Sequence, residues 1–116
     1  MQPETPALLW HARRAAGLTR DFVSGRTFQD FEHDPMVKSA GEGQFQVIGE
    51  ALNRLSRVDL ATADGVPDLP RIVAFRNVLV HGHAPIDDAL VWEVATTRVN
   101  ALVASLDQLL GEAPEV

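Results

Sequence analysis

No cysteine occurs in this chain, which excludes a disulfide framework and any metal site built on thiolates. No apolar run is long enough to cross a membrane, and neither a signal peptide nor a lipidation motif stands in the sequence. The expectation is therefore a soluble, cytoplasmic protein with no membrane partner. Internal repeats and alternating apolar–polar stretches are also missing, so no strands are expected. Nor is there a basic surplus: ten Lys and Arg face sixteen Asp and Glu, a formal charge of −6. The molecule as a whole is no general nucleic-acid binder, and any contact with a polynucleotide must be local. With 116 residues, 46% of them hydrophobic, a single domain is expected over residues 1–116, its core within about 7–110. It can bury one core and is small enough to gain stability from self-association.

What is present has the helical period throughout. Leu8, Leu9, Ala12, Ala15, Ala16, Thr19, Phe22 and Val23 recur at steps of three and four, predicting a first amphipathic helix closed by Gly25. Thr27 is placed to cap a short helix over Phe28–His33. Asp34-Pro35 has the form of an N-cap followed by a first-turn proline, opening a long helix with the apolar stripe Val37, Ala40, Phe45, Ile48, Ala51, Leu52, Leu55 and Val58. Gly41, Gly43 and Gly49 weaken that helix, each by up to about 1 kcal/mol relative to Ala. They imply that a neighbouring backbone or a ligand needs the room. Residues 59–69 carry Asp, Gly and Pro and are expected as a loop, and Pro70 opens a shorter helix to about Val80. Asp87 or Asp88 opens the last helix, with Trp92, Ala95, Val99, Leu102, Leu106 and Leu109 on its stripe and Gly111 and Pro114 at its end. The expected fold is all-α: an antiparallel four-helix bundle with one additional short helix.

One further absence is local. From Leu69 to Ile86 there is no Asp or Glu, and this window holds Arg76, Asn77 and His81. Such a window is suited to an anion. A phosphodiester fits best, since its cleavage needs a proton shuttle and a cation. Arg76 and His81 are five residues apart, about 140° around a helix, so they converge only if His81 lies in the last turn and the chain departs at Gly82. Gly82 suits a C′ position with positive φ. Asn77 and His81 share a face, and the Asn77 amide could either orient the imidazole or cap backbone.

Four segments in order carry a resemblance: Gly25-Arg-Thr-Phe-Gln-Asp-Phe-Glu-His-Asp34, Gln46-Val-Ile-Gly-Glu-Ala51, Phe75-Arg-Asn-Val-Leu-Val-His-Gly82 and Val91-Trp92. Together they resemble HEPN-domain proteins, and among them the HepT-like toxins of prokaryotic toxin–antitoxin pairs. The resemblance implies a homodimer with both Arg/His motifs in one cleft and metal-independent endoribonuclease activity on RNA. It implies no cofactor, and a minimal nucleotidyltransferase (MntA-like) antitoxin as partner. In such toxins the motif ends His-x-Tyr, the tyrosine being the acceptor of AMP. Here the position is His83, which removes the phenol.

On this view Arg76 grips the phosphate and His81 acts as base on the RNA 2′-hydroxyl, with Asn77, His83 and Glu50 in support. His83 is either a leaving-group acid or a solvated loop residue. Glu50 either approaches the cleft or pairs with Arg54, four residues on. Asp87 and Asp88 could join His81 and His83 around a metal, but capping the last helix is the simpler role and no metal is expected. His11 and His33 read as surface or core-edge residues. The second functional reading is a helical binding module without catalysis that regulates a nucleotidyltransferase.

Overall fold

The computed structural model describes residues 1–82 and 86–113, and all regular structure among them is helical. The order is α1 (Thr5–Val23), α2 (Phe28–Glu32), α3 (Pro35–Val58), α4 (Leu60–Ala63), α5 (Leu69–His81), α6 (Asp88–Glu93), a π-helical turn (Val94–Arg98) and α7 (Val99–Glu112). The expected all-helical class is met, with two short helices, α2 and α4, where one was expected. α1 packs along α3 and α7, and α3 separates α1 from α5. Leu9, Ile48, Leu52, Leu55 and Leu106 are fully buried where these helices meet. This is the apolar stripe read at 3.6-residue spacing, turned inward.

Local signals set most of the boundaries. The Thr27 hydroxyl accepts from the Asp30 amide while the Asp30 carboxylate accepts from the Thr27 amide, a reciprocal box that starts α2. Asp34 accepts from the amides of Met36 and Val37 at 3.1 Å and starts α3. Asp87 does the same for Ala89 and Leu90 and starts α6. Gly25 takes φ +74 just beyond α1, a conformation that a side chain would disfavour.

Three expectations are corrected. Residues 59–69 are not a plain loop: Asp59 ends α3 and caps α4, accepting from the Thr62 amide at 3.2 Å. Gly111 does not end the last helix, which runs on to Glu112, and Pro114 lies outside the described residues. Gly82 does not adopt positive φ. It is extended at φ −68, and a Cβ there would stand 2.5 Å from the Val78 carbonyl oxygen. Glycine is needed at 82 for clearance.

The π turn has a cause in the sequence. Val91, Ala95 and Val99 are all buried, two successive steps of four that drift about 80° off an α-helical face. Widening one turn absorbs that drift and keeps the Val99, Leu102, Leu106 stripe on the core.

Asp59 also joins the ends of α1 and α3. Its Oδ2 accepts from the Thr5 hydroxyl at 2.7 Å, the Thr62 hydroxyl at 2.8 Å and the Gln2 amide at 3.2 Å. These donors, the Thr5 hydroxyl first, hold its carboxyl well below the usual carboxylate range, against the opposing effect of burial. A depressed folded-state value means that this stabilisation is complete above the unfolded value of about 3.9 and is lost as pH falls towards the folded one. Asp59→Asn is therefore expected to lower the unfolding midpoint at pH 7. The gap to the parent protein should shrink in thermal or urea melts at pH 3 and below.

Candidate active site

α5 carries the acid-free window. Leu69 and Ile72 anchor it in the core, and Phe75 meets Phe45 of α3 edge to face at 5.2 Å. Arg76 lies on this inner side, where a charged head could not stay. Only its stem does so, lying directly over Gly49 of α3. A Cβ at 49 would overlap the Arg76 Cβ and stand 2.5 Å from its Cγ. Gly49 is thus the glycine whose missing side chain gives a neighbour room. At Gly41 and Gly43 an added Cβ would meet nothing within 4 Å, so the expectation that a neighbour needs their space fails there.

The guanidinium emerges beyond this crossing. Its Nε is sealed from solvent with no hydrogen-bond partner among the described residues. Its Nη1 donates to the Asn77 Oδ1 at 3.0 Å. Asn77 therefore holds Arg76, and no hydrogen bond from Asn77 to His81 occurs among the described residues. Asn77 is exposed, and about 100° of helix separates it from Arg76. The cation is thereby held at Asn77, a residue whose helical position shares a face with His81 one turn on. His81 is the last residue of α5, solvent-exposed, at the negative end of the helix dipole. Sequence spacing alone separates Arg76 from His81. The Gly49 crossing fixes the Arg76 stem and the Asn77 contact holds its head.

Other expected contributors are placed differently. Glu50 is exposed, and Arg54 pairs with Glu4 at 3.1 Å, so the Glu50–Arg54 pair is not formed. His83 lies outside the described residues. Asp87 is occupied as a cap, and Asp88 pairs with Lys38 at 3.0 Å, tying the start of α6 to α3. Glu42, one turn from Lys38, has its carboxyl raised by burial first and Asp88 second, with Lys38 opposing. Among the described residues no three His, Asp or Glu side chains gather to hold a metal. His11 sits edge-on to Trp10, and the His33 Nδ1 is 2.8 Å from the Gln29 carbonyl, both away from α5.

Sequence reasoning missed a groove of about 310 Å3 beside this site, between α5 and the α6–π segment. Ile72, Phe75, Val78, Leu90 and Val94 form its apolar floor, and Arg71, Arg98, Asp68 and Glu93 form its rim. Val78 is 60% exposed and Leu90 42%. Asp68, a non-glycine residue at φ +59, pairs with Arg98 of the π turn at 3.1 Å, so both backbone irregularities meet on this rim. The outward apolar residues of α5 were the available signal, since a helix apolar on two faces needs cover on both.

A family model described as "Ribonuclease HepT-like" matches residues 12–109. The chain belongs to the HepT-like ribonuclease family. Among similar proteins is "Putative RNase TTE0752" of Caldanaerobacter subterraneus subsp. tengcongensis, 26% identical over 88 residues, covering 76% of this chain and 78% of that protein. No solved structure matches the chain. The region matched to the HepT-like family contains all of α3 and α5, hence both sides of the Gly49–Arg76 crossing.

Two glycine replacements separate clearance from helix propensity. Gly49→Ala should destabilise the protein by about 1–3 kcal/mol through overpacking against Arg76. Gly43→Ala, in an open position, should stabilise it by up to about 1 kcal/mol. Urea unfolding of the two variants beside the parent chain checks both signs.

Proposed function

We propose that this chain is the endoribonuclease toxin of a toxin–antitoxin pair, working without metal as a homodimer. The observation that carries the proposal is the Arg76 head held by Asn77 on the helix that ends in His81, with no carboxylate in that stretch of sequence. RNA supplies its own nucleophile. His81 takes the proton of the 2′-hydroxyl, and the 2′-oxygen attacks phosphorus. The bond to the 5′-oxygen breaks, and a second imidazole, that of His83, protonates that leaving oxygen. The products are a 2′,3′-cyclic phosphate and a free 5′-hydroxyl. Arg76, always charged and already held on one side by Asn77, neutralises the charge that grows on the phosphate oxygens. Its partly sealed position strengthens that attraction relative to open water.

The homodimer is formed through α5. Its exposed Ala74 and Val78 adjoin the apolar groove, whose rim carries two cations and two anions. A two-fold pairing can match such a rim with itself. That pairing brings two Arg76–Asn77–His81 sets to one cleft, a local concentration of cation on an otherwise acidic molecule. Its control falls to a minimal nucleotidyltransferase antitoxin. With histidine at 83 there is no phenol there to take AMP, so the partner acts by covering the cleft.

Purified protein in excess EDTA should cleave total tRNA and leave 2′,3′-cyclic phosphate ends. His81→Ala and Arg76→Ala should each reduce the rate by about 10²–10⁴-fold while remaining folded and dimeric. Intact RNA from folded, dimeric parent protein would overturn the nuclease reading and favour a non-catalytic module that regulates a nucleotidyltransferase.

A further inference from the structure

Arg71 is the one cation of the acid-free window that the mechanism above leaves without a task. It is exposed on the groove rim and forms no ion pair among the described residues, whereas Arg98 beside it is taken by Asp68. Its place along α5 is what gives it meaning. Arg71, Ala74, Val78 and His81 fall within about 80° of one another around the helix, and all four are exposed. Along the axis they are also evenly disposed about the level of Arg76, whose stem leaves from the opposite, inner face: Ala74 and Val78 lie two residues to either side, Arg71 and His81 five. Along the axis Arg71 and His81 are about 15 Å apart, too far to act on one phosphate from the same chain.

A two-fold axis through the middle of this strip changes the distance. When α5 crosses its own copy antiparallel on Ala74 and Val78, each Arg71 is carried beside the His81 of the other chain. We propose that Arg71 works in trans, binding the RNA backbone next to the scissile phosphate at the site whose His81 belongs to the partner subunit. The inference rests on the homodimeric nuclease proposed above. It adds that each site is incomplete within one chain: His81, Arg76 and Asn77 come from one copy and the outer guanidinium from the other. Its ligand is an RNA phosphate adjoining the one cleaved, held as a charge-assisted, bidentate pair.

Complementation between two inactive dimers tests this. Arg71→Ala and His81→Ala homodimers, each confirmed as dimeric, are expected to cleave tRNA in EDTA at least roughly tenfold more slowly than the parent. The two are then mixed, allowed to exchange subunits, and the heterodimer is isolated through different tags. In trans, one of its two sites has both an intact His81 and an intact Arg71, so activity should return to about half that of the parent dimer. Arg76→Ala mixed with His81→Ala provides the contrast, since these act from one chain and should not recover. The salt dependence of RNA binding should also lose about one phosphate contact in Arg71→Ala. A heterodimer as inactive as its parents, an Arg71→Ala protein as active as the parent, or an Arg71→Ala protein that is monomeric would each overturn the inference. Full activity in His81→Ala would instead remove the nuclease reading beneath it.

Discussion

An arginine whose stem faces the core and whose head must reach solvent is the constraint on which the rest of this site depends. Desolvating a guanidinium without partners is prohibitive, so only the aliphatic part can occupy the inner side of α5. That part lies where α3 crosses, and α3 can come this close only because residue 49 has no side chain. The helix loses some intrinsic stability at that glycine. In return, the arginine is clamped along its length and leaves the crossing in a fixed direction. Asn77 then receives the head at 3.0 Å. The cation is thus positioned by packing and one hydrogen bond, with no carboxylate paired to it among the described residues.

The same economy of charge runs through the molecule. Arg13, Arg26, Lys38, Arg54 and Arg98 are each engaged with a carboxylate, and these pairs sit between helices or at their ends. Such surface pairs contribute little individually to stability. Among the described residues Arg71 and Arg76 of α5 are free of such pairing, as are Arg14 and Arg20 of α1 and Arg57 of α3. What sets α5 apart is the absence of Asp and Glu from 69 to 86, which leaves its cations locally unopposed on a protein whose overall acidity gives weak long-range attraction for nucleic acid.

Much of this was legible in the sequence because it is local. Thr27 with Asp30, Asp34 with Pro35, and Asp87 all announce helix starts through side-chain oxygens that reach amides two or three residues on. The inward stripes follow from period alone, and the run Phe75–Gly82 together with Gln46–Ala51 pointed to the family. Tertiary contacts were not legible. Asp59 organises α4 with help from Thr5, more than fifty residues away, which no window of sequence displays. Arg54 prefers Glu4 to Glu50 for the same reason. Spacing offers Asn77 the choice of orienting His81 or capping backbone, whereas its partner is the Arg76 guanidinium, from an adjacent residue that a helix does not bring to the same face. The need for glycine at 82 was evident, but its cause was not: the chain passes too close to the Val78 carbonyl for a Cβ.

The π turn between α6 and α7 carries a consequence for how this helix tolerates change in length. Its widened turn holds one residue more than a regular helix would need to join Val91 to Val99. The segments on either side are already in phase with the core, and they are in phase only because that residue is there. Deleting one residue from 94–98 would make the backbone more regular and rotate everything beyond it by about 100°. Leu102 and Leu106 would then leave α1, and Arg98 would swing away from Asp68 at the groove rim. Regularity and fit are opposed here, so the irregular turn is the register mark by which the far half of the helix finds the core.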